Sequence, residues 1–159
     1  MKSKIKKLKG GASNSNALWT IETDTGIQYL SPAISTDLSE KVLSNDVSDY
    51  KFIIFGNQYK IDLTKFIQVN LKTKKERKIH LPIDLNWSVK TDTRFVNYDP
   101  LISIGLTKYK LSGKKTFEYS FRGKQFVIDL INLTQNNINT SKPPRDIKLP
   151  PLLQEIFNS

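Results

Sequence analysis

The sequence predicts an α+β chain of two tandem small domains, each one helix with several antiparallel strands. Three observations lead there. The chain repeats itself, so that GNQYKIDLTKFIQVN at 56–70 returns as GKQFVIDLINLTQNN at 123–137, which marks a tandem duplication. Each copy carries one stretch of helical spacing behind a capping signal. The other apolar residues fall in short alternating or aromatic-rich runs bounded by turn residues.

The match extends along nearly the whole chain. Trp19 meets Trp87, Thr23-Asp24-Thr25 meets Thr91-Asp92-Thr93, and Pro32, Ile34, Ser35 and Leu38 meet Pro100, Ile102, Ser103 and Leu106. RKIHLP at 77–82 meets RDIKLP at 145–150. The boundaries that follow are a basic N-terminal tail at 1–15, one domain at 16–83, a second at 84–152 and a C-terminal tail at 153–159. Each copy is about 67 residues long, close to the lower limit for a single core without disulfides or metal. The connector Ile83-Asp84-Leu85 is too short for a free linker.

Within a copy the elements come in a fixed order. Trp19-Thr-Ile-Glu and Trp87-Ser-Val-Lys alternate as strands and run into an Asp-Thr turn. Ser31-Pro32 and Asp99-Pro100 each supply an N-cap with Pro at the first helical position. Ile34, Leu38 and Val42 then line one helical face. Gly105 predicts a short or irregular helix in the second copy, because glycine costs about 1 kcal/mol relative to Ala inside a helix. Strands follow at 50–55 and 117–121, turning at Gly56-Asn57 and Arg122-Gly123 into the IDL strand. The last strands are expected at 78–81 and 146–149, each closed by Pro.

Composition narrows the function. The net charge is +10, and residues 1–15 contribute five Lys with no acid. Residues 16–83 hold nine bases against eight acids, and residues 84–159 eleven against seven. The tail therefore reads as a solubilising arm, or as a nuclear-import or polyanion-binding one. No apolar run is long enough for a membrane span and no signal-peptide stretch opens the chain, so a cytosolic or nuclear protein is expected. The absence of Cys excludes disulfides, thiol nucleophiles and Cys-based zinc sites. The single His, His80, lies inside a strand pattern and has Lys148 as its counterpart, and GKKT at 113–116 lacks phosphate-loop spacing. No enzyme is expected, and neither a cofactor nor a metal.

The run from the opening Trp through a capped helix to G-x-x-[YF]-x-[IV]-D-L-x-x-x-x-Q-x-N and a final Arg-x-Ile resembles the WWE domain, and two copies resemble the arrangement of Deltex-type ligases. Only the first of the family's three naming residues is present in each copy. Ile27 and Phe95 stand at the second Trp, and Ser39 and Thr107 at the Glu. The resemblance implies a small sheet curled around one helix that binds ADP-ribose or the iso-ADP-ribose unit of poly(ADP-ribose) on modified proteins. It also implies a ubiquitin-ligase or polymerase partner. The residues it implies as ligand-binding are Tyr59, Gln68 and Arg77 in the first copy and Tyr98, Phe126, Gln135 and Arg145 in the second. Chemically, a guanidinium can fork onto a pyrophosphate, and a ring with an amide can hold an adenine.

Other readings stand beside this one. Trp19 and Trp87 read as core. Asp62 and Asp129 read as caps of the following turn, Asn70 and Asn137 as turn formers, and Gln68 and Gln135 could serve structurally. Two competing functions remain: a weak nucleic-acid contact through the Lys-rich tail and second repeat, and a protein-interaction scaffold whose degenerate repeats have lost the ligand.

Overall fold

The computed structural model describes residues 15–158, so the basic tail lies almost wholly outside the described residues. The chain divides between Asp84 and Leu85 into two compact units. Each unit is a six-stranded, wholly antiparallel sheet with a helix inserted after its second strand. In the first unit the elements are β1 (Thr20–Thr23), β2 (Gly26–Tyr29), α1 (Pro32–Leu43), β3 (Tyr50–Ile54), β4 (Asn57–Asp62), β5 (Ile67–Asn70) and β6 (Glu76–His80). In the second they are β7 (Ser88–Lys90), β8 (Phe95–Asn97), α2 (Pro100–Leu111), β9 (Thr116–Phe121), β10 (Lys124–Asp129), β11 (Thr134–Asn137) and β12 (Arg145–Lys148), followed by α3 (Pro151–Asn158). The two sheets share one strand order, β2-β1-β6-β5-β4-β3 and β8-β7-β12-β11-β10-β9. The predicted α+β class of two tandem units is what the chain adopts.

Both capping signals work as expected. The Ser31 hydroxyl accepts from the Ile34 N–H at 3.2 Å, and the Asp99 carboxylate from the Leu101 N–H at 3.0 Å. Trp19 and Trp87 are completely buried, as their place at the head of an amphipathic strand predicts. Each is tied to its helix twice. The backbone N–H of Trp19 donates to the Ser35 hydroxyl at 3.0 Å and its indole N–H to the Ser39 hydroxyl at 3.0 Å. Trp87 repeats this with Ser103 at 3.2 Å and Thr107 at 2.9 Å. These bonds explain why hydroxyl residues occupy buried helix positions, since a buried donor without a partner costs about 1–3 kcal/mol.

Four details differ from the sequence reading. The first-unit hairpin turns at Phe55-Gly56, one residue earlier than Gly56-Asn57, because two consecutive positive φ values (49° and 79°) close a two-residue loop whose twist suits the flanking strands. Arg122-Gly123 repeats it at 51° and 75°. The last strands begin earlier than expected, which puts Arg77 and Arg145 inside the ladders. Residues 153–158, expected as a tail, are helical, and Leu153 and Ile156 of α3 are buried.

The fourth correction concerns Gly105. Helix α2 is neither short nor irregular: it runs twelve residues, the same as α1. The glycine is there for room, since a Cβ at this position would stand 2.8 Å from the Phe117 ring. In the first unit the corresponding pair is Asp37 and Tyr50, joined by a 2.6 Å hydrogen bond from the tyrosine hydroxyl. Gly105→Ala gains about 1 kcal/mol of helix propensity but overpacks the ring at a cost of about 1–3 kcal/mol. The expected result is a lower unfolding midpoint in thermal melts, relieved by adding Phe117→Leu.

Candidate binding site

The ladders bring the predicted residues together in pairs. Gln68 lies opposite Arg77 between β5 and β6, and Gln135 opposite Arg145 between β11 and β12. Tyr59 lies opposite Asn70, and Phe126 opposite Asn137. Side chains directly opposite in a ladder sit on the same face about 4.5–5.5 Å apart at Cβ, so in each unit an amide and a guanidinium are neighbours.

In the second unit these side chains surround a concavity of about 210 Å³. Phe126, Gln135 and Arg145 line it, joined by Lys124 at the start of β10 and by Asn137, Thr140, Lys142 and Pro143 from the end of β11 and its following loop. Three cations and no carboxylate face this space. Arg145 is held from behind: one guanidinium nitrogen donates to the Lys90 carbonyl at 3.2 Å and the other lies 3.1 Å from the exposed Asp92 carboxylate. Phe126 is braced by Tyr119, whose ring stacks on it at 5.0 Å between centroids.

Gln135 is the most constrained member. It is 9% exposed, and its Oε1 accepts from two hydroxyls, Tyr98 at 2.6 Å and Tyr119 at 2.7 Å. Tyr98 itself is 8% exposed and does not line the pocket. The sequence reading counts it among the ligand contacts; here its ring is part of the core and its hydroxyl is committed to Gln135. Burial pushes the Tyr98 hydroxyl well above the usual tyrosine range, and pushes Tyr119 up to about 12. Folding thus retains on Tyr119 a proton that the unfolded chain releases near pH 10. The stability this contributes is full below pH 10 and is lost as pH rises through about 12. An absorbance titration at 295 nm should therefore show a late step that Tyr119→Phe reduces.

The first unit is built differently at the same positions. Leu30 and Phe52 stand where Tyr98 and Tyr119 stand, so both hydroxyls that hold Gln135 have no equivalent around Gln68. Tyr59 keeps the stacked ring, 5.5 Å from Phe52. Arg77 is engaged by Asp24 through two bonds of 3.2 and 3.3 Å, and Lys75 reaches the same carboxylate. Arg77 and then Lys75 hold the Asp24 carboxyl below the usual range.

The structural readings of the neighbouring polar residues hold. Asp62 accepts from the Thr64 and Lys65 N–H groups, and Asp129 from those of Ile131 and Asn132. Asn70 accepts from Lys72 and Thr73, and Asn137 from Asn139. Sequence reasoning missed Tyr119, Lys124, Thr140 and Lys142. Only Tyr119 left a usable signal, as an aromatic in a strand already read as aromatic-rich.

With a Trp-headed six-stranded sheet curled on one helix, and an amide beside an arginine on its face, the architecture can be compared with known families. The family model of the WWE domain matches residues 19–80. WWE domains are generally non-catalytic modules that bind poly(ADP-ribose) derivatives. The match runs from Trp19 to the last residue of β6, so it takes in all of the first unit's sheet and helix. The second unit lies outside the WWE match and shares its strand order, its capped helix and its doubly anchored Trp. No curated protein matches the chain. Among the described residues no cluster of His, Asp and Glu could hold a metal ion, and no helix is long and apolar enough to cross a membrane.

Proposed function

We propose that the chain is a non-catalytic reader of ADP-ribosylation, built from two WWE-like units that divide between Asp84 and Leu85, with its nucleotide site in the second. One observation carries this reading: Phe126, Gln135 and Arg145 line a single concavity together with two lysines and no acid. In that site Arg145 would fork onto a phosphate, Lys124 and Lys142 would balance the second negative charge, and Phe126 would offer a ring face. At about 210 Å³ the concavity is smaller than the roughly 300 Å³ at which drug-sized ligands begin to be enclosed. It would therefore seat one end of an ADP-ribose unit while the rest follows the surface. A polymer end or an internal iso-ADP-ribose fits this description. A ubiquitin ligase or a poly(ADP-ribose) polymerase acting on the same modified protein, in cytosol or nucleus, would supply the catalysis.

The first unit, although it carries the family match, is proposed as the weaker or silent partner. Gln68 lacks both tyrosine supports, and Arg77 gives both guanidinium nitrogens to one carboxylate, whereas Arg145 gives Asp92 only one. If it retains any affinity, two sites on one polymer would gain through effective concentration. The test is calorimetry of the full chain with ADP-ribose, iso-ADP-ribose and single-stranded DNA, repeated on variants of each unit. Binding of a nucleotide that is lost on changing the second unit alone supports the reading. Binding of DNA alone, with a steep salt dependence, would transfer the function to the lysines.

A further inference from the structure

We infer that Tyr98 and Tyr119 act together as positioning residues that lock the Gln135 carboxamide with its NH2 group toward the pocket, so that the site accepts only a ligand group bearing a lone pair. This rests on the proposed nucleotide reading of the same concavity and deepens it.

The bond lengths fix the amide's orientation. At 2.6 and 2.7 Å the two contacts have the length of O–H···O bonds, whereas N–H···O bonds centre near 2.9–3.0 Å. A carboxamide oxygen has two lone pairs, and two hydroxyls fill them. The opposite orientation would require Nε2 to donate both protons over distances too short for nitrogen. Both hydroxyls also keep their protons far into the alkaline range, so both are donors at neutral pH. What remains of Gln135 for the pocket it lines is a pure donor with two N–H groups. A ring nitrogen, carbonyl or phosphoryl oxygen can meet it, and an exocyclic amino group cannot. An unsupported glutamine could turn over and meet either kind of group, which is the situation of Gln68, since Leu30 and Phe52 stand where Tyr98 and Tyr119 stand.

Two measurements on the full chain test this. In the free, 15N-labelled protein, the Gln135 side-chain amide protons should exchange with solvent within about 10-fold of those of exposed Gln125. Protection greater than about 100-fold would mean that the NH2 is turned inward, and the inference fails. With ADP-ribose as the probe, Tyr98→Phe/Tyr119→Phe should weaken binding about 3- to 10-fold in the parent chain and leave Gln135→Ala unaffected, because the hydroxyls act through that amide. An equal loss in both backgrounds would show a merely structural role and overturn it. If ADP-ribose fails to bind the parent chain while the Gln135 protons exchange freely, the nucleotide reading falls and the amide lock stands.

Discussion

Arg145→Ala is expected to weaken ADP-ribose binding about 10- to 100-fold while leaving the unfolding midpoint nearly unchanged. The two halves of this expectation have separate causes. A hydrogen bond to a charged group is worth about 1.5–3 kcal/mol when its partner is desolvated, and that is the affinity the guanidinium would supply to a phosphate. Its bond to Asp92, by contrast, is an ion pair between exposed groups, of the kind that contributes about 0–1 kcal/mol. Arg145→Lys keeps the charge but loses the planar fork, so most of the affinity should still be lost. In the same calorimetric series Arg77→Ala should change affinity by less than about 3-fold, since Asp24 already occupies both arms of that guanidinium. A phosphate would have to displace a carboxylate held by two nitrogens there, whereas at Arg145 the carboxylate is held by one. The reverse pattern, with Arg77→Ala damaging and Arg145→Ala silent, would move the site to the first unit.

Much of the fold was legible because the duplication checks each local signal against a second copy. A Ser-Pro at 31–32 is a weak helix signal, but Asp-Pro at the same place in the other copy makes it a strong one. The repeated Trp reads as core, but its partnership with Ser35 and Ser103 is a tertiary fact that spacing cannot display. The features that were misread are those in which the copies diverge. Gly105 looks like a helix breaker until Phe117 is seen filling the space that Asp37 and Tyr50 share in the first unit. Arg145, Gln135 and Phe126 are grouped by the family resemblance alone, since a last strand expected to begin at 146 leaves Arg145 outside the ladder. Lys142 and Thr140 are not, because they reach the pocket from a loop whose course no periodicity describes.

The largest loss of stability is expected from Trp87→Ala, about 3–5 kcal/mol, which is a large share of the stability of any small unit. Area explains most of it, since the ring is wholly buried and aromatic side chains dominate core energetics. The hydrogen bonds decide how a conservative change should behave. Thr107→Val keeps the shape and removes the acceptor, stranding the indole N–H in the interior at a cost of about 1–3 kcal/mol. Thr107→Ser keeps the acceptor, as Ser39 does for Trp19, and should cost less than Thr107→Val even though it removes a methyl group. Each unit contains one of the chain's two Trp residues, so a Trp19→Phe background makes fluorescence a reporter of the second unit alone. Denaturant melts in that background should rank parent, Thr107→Ser and Thr107→Val in falling order of midpoint. If Thr107→Val melts with the parent, the indole bond contributes nothing, and packing together with the Ser103 bond holds the helix to the strand that Trp87 leads.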